Sequence, residues 1–158
     1  MGEEKYLVRL LDKAIKKVYE EKPFLLKYSE DKRRGLEQAF VFRVGIYLNK
    51  IIKKSKYKNL DLDSEYNKKC GNIKVSGHFP NGFRPDLIIH KRDSNRENKL
   101  VVEFKGWWNS NIKKDVKKLM DLTSSNEDYR YLIGVFVRIK EDKPIYRYFI
   151  NGVENLSE

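Results

Sequence analysis

The sequence contains few of the side chains from which disulfide frameworks and zinc modules are built. It has one cysteine, Cys70, and two histidines, His78 and His90. A disulfide framework needs paired cysteines, and a structural zinc site needs a full set of Cys or His ligands. Both are therefore excluded. Any bound metal would have to use oxygen ligands, which hard ions such as Mg²⁺ or Mn²⁺ prefer.

Long apolar runs are also missing. No stretch approaches the roughly 20 apolar residues of a membrane span, and Glu3 and Glu4 precede the first apolar residues at the N-terminus. We therefore expect no membrane contact and, by default, a cytoplasmic location. The glycine-rich patterns that cradle nucleotide phosphates, G-x-x-x-x-G-K and G-x-G-x-x-G, do not occur.

Acidic side chains are outnumbered by basic ones. The chain has 34 Lys+Arg against 23 Asp+Glu, a formal net charge of +11. Such an excess attracts polyanions and indicates nucleic acid as a partner, although a basic surface can also be simply solvated. With 158 residues, 40% of them hydrophobic, the chain has the size of one compact core. We predict a single domain over residues 1–158.

The spacing of apolar residues predicts alternating helices and strands. Helical periodicity predicts helices at 3–22, 29–53 and 111–122, the second opening on Ser29 as its cap. Short alternating or apolar segments predict strands at 60–66, 85–90, 100–105, 131–139 and 145–150. The glycine-rich stretch 71–83 predicts a weak hairpin or a surface loop. This order predicts an α/β fold with a mixed central sheet flanked by helices.

An acid and a lysine interrupt one face of the predicted strand 100–105. Because side chains alternate across a strand, Glu103 and Lys105 share a face with Val101. In the preceding strand Asp86 shares a face with Ile88. An antiparallel register that sets Asp86 opposite Glu103 keeps every apolar residue of the pair on a matching face. The sequence therefore predicts that Asp86, Glu103 and Lys105 converge on one patch.

This patch has two interpretations. Adjacent carboxylates repel unless a cation lies between them, and a divalent ion there could polarise a phosphoryl oxygen and activate a water. Alternatively, Glu103 and Lys105 form an ion pair at the strand end and Asp86 is a turn residue. The residues themselves leave both interpretations open.

Three further acids lie where they could approach the patch. Glu37 falls inside the apolar arc of the second predicted helix, so it needs a partner, either the same ion or one of Arg43 and Arg84. Asp115, on the apolar side of the third helix, is expected to bond to backbone or to a lysine. Glu65 either approaches the patch or remains solvated.

The two strands carry a pattern that resembles the signature of the PD-(D/E)xK nuclease superfamily: Pro85-Asp86, sixteen intervening residues, then Glu103-Phe104-Lys105. The order of predicted elements over about residues 36–139 resembles the restriction-endonuclease-like core of that superfamily, αβββαβ, with an extra N-terminal helix and C-terminal strand. Segment 36–48, the tripeptide 65–67, and Asp115 with Lys118-Leu119 are similar to uncharacterised small members.

The resemblance implies a set of roles for the residues that match it. Asp86 and Glu103 are expected to bind Mg²⁺ or Mn²⁺, Lys105 to position the attacking water, and Glu37 to match the extra acid on the first core helix of many members. The implied activity is phosphodiester hydrolysis, in DNA rather than RNA. The alternatives are a non-catalytic nucleic-acid-binding module on the same fold and a subunit controlled by a partner. A homodimer is a further expectation, since enzymes that cut both strands often pair two sites.

Basic and aromatic side chains supply the predicted contacts to nucleic acid. The lysine tracts 50–58 and 113–118 either hold the phosphate backbone or form solvated faces. The two tryptophans after Lys105 either contact bases or pack the core. The predicted nucleic-acid-binding residues are Lys50, Lys53, Lys54, Arg84, Trp107, Trp108, Lys113 and Lys114.

Overall fold

The computed structural model describes residues 2–26, 36–69 and 71–155, and in them a mixed α/β architecture with a central six-stranded sheet is confirmed. The helices are α1 (Glu3–Glu21), α2 (Leu36–Ile52) and α3 (Lys113–Thr123), with a short 3₁₀ turn at Pro23–Leu26. The strands are β1 (Asp61–Ser64), β2 (Lys68–Lys69), β3 (Asn72–Ile73), β4 (Leu87–His90), β5 (Leu100–Gly106), β6 (Ile133–Ile139), β7 (Ile145–Ile150) and β8 (Val153–Asn155).

The strands of the central sheet follow the order β1-β4-β5-β6-β7-β8. Strands β5 and β6 are parallel, and the other neighbours are antiparallel. A parallel pair needs a crossover connection, which α3 supplies between β5 and β6. The short strands β2 and β3 form a separate hairpin.

Helices α1 and α2 cover one face of the sheet. In α1 the residues Leu7, Leu11, Ile15 and Val18 are fully buried at helical spacing. Acids in the first turn suit the positive end of the helix dipole, and Pro23 follows the end of the helix. The sheet side chains on this face are Leu87, Ile89, Leu100, Val102, Phe104, Ile133, Val135, Val137 and Ile139.

Helix α3 and the segment 74–83 cover the other face. Ile88 and Val101 pack there with Leu119 and Leu122 of α3. The Tyr129 hydroxyl fastens the segment to the loop between α3 and β6, because it accepts the Val75 N–H at 2.7 Å and donates to the Val75 carbonyl at 2.6 Å. Asp121 of α3 adds bonds to Ser76 and to His78.

The predicted register of the central strands is confirmed. Leu87 pairs with Val102 and Ile88 with Val101, and one further step sets Asp86 opposite Glu103. The predicted strands occur at slightly different bounds. The predicted cap at Ser29 lies outside the described residues; α2 is described from Leu36.

The predicted order of elements was wrong in two places. Five strands, not three, separate α2 from α3, because β2 and β3 form a hairpin that overlaps only the start of the stretch 71–83, where a weak hairpin or a surface loop was predicted. Two-residue strands are too short to show alternation. The third strand after α3, β8, was not predicted because its three residues are all exposed. In the described ranges, no helix is both long enough and apolar enough to cross a membrane.

Candidate active site

The predicted patch lies where the start of β4 meets the C-terminal half of β5. Asp86 precedes β4, and its Oδ2 accepts the Phe104 N–H at 2.7 Å, which fixes the carboxylate against β5. Glu103 is 1% exposed. Lys105 is two residues further along β5, on the same side as Glu103. The structure thus brings Asp86, Glu103 and Lys105 together.

Helix α3 places a second lysine and a further acid against this patch. The Lys118 Nζ lies 2.7 Å from Glu103 Oε2 and 3.2 Å from Asp115 Oδ1. The Lys105 Nζ lies 2.8 Å from Asp115 Oδ2, so Asp115 bridges the two ammonium groups. The ion pair considered between Glu103 and Lys105 is therefore not the one formed. Asp115 bonds to lysines, as the sequence suggested.

Glu37 reaches the site from α2. Its Oε2 accepts the Gly106 N–H at 2.7 Å, at the end of β5. This backbone bond supplies the partner that a partly buried carboxylate needs. Neither of the two arginines considered supplies it: Arg43 is exposed, and Arg84 pairs with Glu65 at 3.9 Å.

The acids at the centre of the site are hard to ionise. Burial raises the pKa of Asp86 to about 6, although the hydrogen bond from Phe104 N–H opposes the rise. Burial and then the charge of Asp86 hold the pKa of Glu103 well above its ordinary value, even with Lys118 beside it. Burial acts to lower the pKa of Lys118 and of Lys105, but the neighbouring carboxylates raise both above the usual lysine value.

The residues present suit a divalent cation in two respects. Glu103 Oε1 is buried and forms no hydrogen bond within the described part of the chain, and a buried carboxylate oxygen normally has a partner. The interacting group also contains four acids, Glu37, Asp86, Glu103 and Asp115, and two lysines, Lys105 and Lys118, a formal charge of −2 when all are ionised. A hard cation would satisfy both the free oxygen and the excess charge.

The acids do not form a complete metal cage. In residues 2–26, 36–69 and 71–155, no three His, Cys, Asp or Glu side chains are arranged so that they could hold a metal ion by themselves. Asp86 and Glu103 could contribute two carboxylates, with backbone oxygen or water completing the coordination, as Mg²⁺ commonly requires. The predicted role of Glu37 as a metal ligand stays a prediction.

Two clefts open beside the site and meet at Glu37 and Gln38. The first, of about 360 Å³, is lined by Glu37, Gln38, Val41, Ser64, Glu65 and Asp86. The second, of about 490 Å³, is lined by Glu37, Gln38, Trp108, Asn109 and Ser110. Glu65 lines the first cleft together with Asp86, and its side chain is 59% exposed, so both interpretations of this residue stay open.

The predicted nucleic-acid-binding residues fall into two groups. Lys113 and Lys114 are exposed in the first turn of α3, beside Asp115, and Arg84 is exposed next to Asp86. Trp108 lines the second cleft, whereas Trp107 packs against the core formed with α1 and α2. The second group, Lys50, Lys53 and Lys54, lies at the far end of α2.

The distance along α2 separates that second group from the site. Thirteen residues from Glu37 to Lys50 correspond to about 20 Å of helix. Lys53 also has a structural partner, because its Nζ donates to the carbonyls of Lys58 and Leu60 at 3.1 Å each. The structure therefore does not bring these three lysines to the candidate site.

The role of Lys118 in the site was not predicted from the sequence. This lysine was grouped with the tract 113–118, which was expected either to hold the phosphate backbone or to be solvated. It is 7% exposed and contacts Glu103. A signal was present: residues 115, 118, 119 and 122 follow the i, i+3, i+4, i+7 spacing of a buried helical face. A lysine on that face needs an acid opposite it.

The site combines two carboxyl groups with raised pKa values, Asp86 and Glu103, with two charged lysines, Lys105 and Lys118. One carboxyl oxygen, Glu103 Oε1, forms no hydrogen bond within the described residues. Comparison of the chain with protein-family models, with curated proteins and with solved structures finds no match.

Proposed function

We propose that this protein is a divalent-metal-dependent nuclease of the PD-(D/E)xK type, which hydrolyses phosphodiester bonds, in DNA rather than RNA. The observation that carries the proposal is the Glu103 carboxylate, which is buried beside Asp86 with one oxygen free of hydrogen bonds. The succession α2, β1, β4, β5, α3, β6 supports a restriction-endonuclease-like core within the same proposal.

Asp86 and Glu103 are the residues that would hold the ion. When bound, Mg²⁺ or Mn²⁺ supplies a Lewis acid for the phosphoryl oxygen and lowers the pKa of a coordinated water. Lys118 orients Glu103 by its 2.7 Å contact. The hydrogen bond from the Phe104 N–H holds Asp86 in place on the other side.

Lys105 stabilises charge and does not abstract a proton. Its pKa is raised, because the hydrogen bond and charge of Asp115 outweigh the effect of burial. A lysine that stays charged at neutral pH can orient a water and offset the negative charge that develops on the phosphoryl group. Asp115 is a positioning residue, since it acts through Lys105 at 2.8 Å.

A second candidate function is a nucleic-acid-binding module without catalysis. The observation that favours it is that Glu103 is paired with Lys118 at 2.7 Å and Asp115 with Lys105 at 2.8 Å. In this alternative the lysines replace the ion as permanent counter-charges. Such a module would bind nucleic acid in EDTA and gain no thermal stability from Mn²⁺.

The test is a cleavage assay on linear duplex DNA, circular single-stranded DNA and RNA with Mg²⁺, Mn²⁺ or EDTA. We expect metal-dependent cleavage that falls by about 10²-fold or more in Asp86→Ala and Lys105→Ala. Lys91→Ala is the matched control, because Lys91 is exposed and lines neither cleft beside the site. Equal cleavage by all three variants would identify a contaminating enzyme and overturn the proposal.

A further inference from the structure

We infer that Trp108 is a stacking platform for an unpaired nucleobase, so that the proposed nuclease takes its substrate as a single strand or as the frayed end of a duplex. This inference rests on the proposed function and specifies its substrate. It separates the two neighbouring tryptophans, assigning nucleic-acid contact to Trp108 and core packing to Trp107.

The indole ring of Trp108 is held in a fixed position. A Cβ atom on Gly106 would lie 2.4 Å from ring atoms of Trp108, so the ring rests directly against this backbone position and any side chain there would displace it. Trp107 meets the ring edge to face, with 4.5 Å between ring centroids. A ring that is already ordered loses little entropy when a ligand stacks on it.

The turn that carries Trp108 is fastened at both ends. The Asn109 N–H donates to the Gly106 carbonyl at 3.1 Å. Arg138, paired with Lys105 across β5 and β6, donates to the carbonyl of Trp107 at 2.9 Å and to that of Asn109. Trp108 therefore projects from a closed turn that the sheet holds in place.

The cleft in front of Trp108 suits a base and leads to the proposed site of cleavage. Its volume of about 490 Å³ falls within the roughly 300–1,000 Å³ of ligand pockets. Gln38, Asn109 and Ser110 give it polar walls. It shares Glu37 and Gln38 with the cleft that contains Asp86, so a strand whose base stacks on Trp108 would lie beside the residues that lead to the carboxylates.

The requirement for an unpaired base follows from how aromatic side chains bind nucleic acid. Inside a duplex both faces of a base are covered by its neighbours, whereas a single strand or an open end leaves faces free for stacking. A flat aromatic platform in a polar cleft also stacks on any of the four bases. We therefore expect binding that depends on strandedness more than on sequence.

The test is a fluorescence titration of the variant Trp107→Phe, in which Trp108 is the sole tryptophan. It is carried out once in EDTA and once with Ca²⁺. A single-stranded DNA 12-mer should quench Trp108 fluorescence to saturation, and a closed hairpin duplex of the same bases should quench it at least about tenfold more weakly. In the wild-type background, Trp108→Leu should weaken single-strand binding about tenfold, and Trp108→Phe should stay within about twofold because it keeps an aromatic face.

Phe24→Leu is the matched control. Phe24 is 68% exposed and lines neither cleft, so this change should leave binding unaltered. Two fluorescence results would overturn the inference: no quenching by single-stranded DNA in either buffer, or equal quenching by the hairpin. It would also be overturned if Trp108→Leu, with an unchanged melting temperature, bound single-stranded DNA like the wild type. Cleavage of duplex DNA without such quenching would contradict the stacking role of Trp108 but not the proposed nuclease activity.

Discussion

At the scale of single residues, Glu103 is a buried carboxyl group that lies between a second acid and a lysine. It is buried next to Asp86, and one of its oxygens contacts Lys118 while the other has no hydrogen-bond partner among the described residues. A carboxylate in such surroundings is costly unless its charge is balanced. We therefore expect the removal of a single charge at this site to change the free energy of unfolding measurably.

The first prediction concerns the pH dependence of Asp86 in EDTA. Its pKa is about 6 in the folded protein and near 3.8 when unfolded, so the folded state takes up a proton first as the pH falls. The free energy of unfolding of the wild type, relative to Asp86→Asn, should therefore rise by about 1 kcal/mol from about pH 7 to about pH 5. Chemical denaturation of both proteins measures this difference, and a fall instead of a rise would contradict it.

The second prediction concerns the buried ion pair. The substitution Lys118→Met removes the ammonium group but keeps an apolar side chain of similar length. Because Glu103 then lacks its counter-charge, the free energy of unfolding should fall by about 3–5 kcal/mol. Adding Glu103→Gln should restore much of that loss. Lys117→Met is the control, because Lys117 is exposed on the same helix. If both methionine variants unfold alike, the pair does not contribute as described.

Periodicity could place Asp86, Glu103 and Lys105 together, whereas it places Lys118 only on the buried face of α3 and does not indicate its partner. Alternation across two strands fixes which face Asp86, Glu103 and Lys105 occupy. The partner of each side chain depends on how α3 docks on the sheet, which no local pattern records. The bond from Gly106 to Glu37 is hidden from sequence for the same reason, since its residues are 69 positions apart.

At the scale of elements, the end of β5 connects the core to the clefts. Its apolar residues pack on both faces of the sheet, and its last residue, Gly106, contacts Glu37 by its N–H and Trp108 by its Cα side. The strand therefore sets the position of the carboxylates and of the tryptophan together. A substitution at the end of β5 should therefore affect both the carboxylates and Trp108.

The third prediction follows from this close packing. Gly106→Ala places a Cβ 2.4 Å from the Trp108 ring, so the ring or the turn must move, at a cost of about 1–3 kcal/mol. The near-ultraviolet circular dichroism of the tryptophan pair should weaken as well. Gly77→Ala provides the control, since a Cβ there meets no atom within 4 Å. Equal stability of the two variants would show that Trp108 does not rest on Gly106.

Most of the elements could be predicted from the sequence, and the exceptions share a physical cause. Strands β4 and β5 are buried on both faces, and the register that matches the faces of their apolar side chains is the one observed. Segment 74–83 is instead held by contacts to distant residues, such as Tyr129 bonding Val75 across 54 positions. The edge strand β8 is held by pairing with β7 and by the Arg147 to Glu154 ion pair, not by burial.

At the scale of the whole molecule, the net charge of +11 is spread over surfaces with different relations to the site. Lys113 and Lys114 lie on the helix that covers the carboxylates, whereas Lys50 and Lys54 lie at the far end of α2. A polyanion is attracted by the total charge, but in the proposed function only contacts near the clefts would hold a strand in place for cleavage.

The fourth prediction separates these two contributions. The double change Lys113→Ala and Lys114→Ala should weaken binding of single-stranded DNA and make the slope of log K against log salt shallower by about 1–2. Lys50→Ala with Lys54→Ala removes the same charge at the other end and should change the slope by less than half as much. Fluorescence titrations at several salt concentrations measure both, and equal slopes would place bound DNA across both surfaces.

The bond between Glu37 and Gly106 has a consequence for how the protein is made. It joins the first turn of α2 to the end of β5, and the counter-charge of Glu103 comes later still, from Lys118. A chain emerging from the ribosome therefore cannot assemble the site until α3 has been synthesised, because earlier lengths lack the lysine that Glu103 requires. Contacts between residues that are distant in the sequence also slow folding. Incomplete chains released by premature termination before Lys118 would thus be unable to cut nucleic acid by the chemistry proposed.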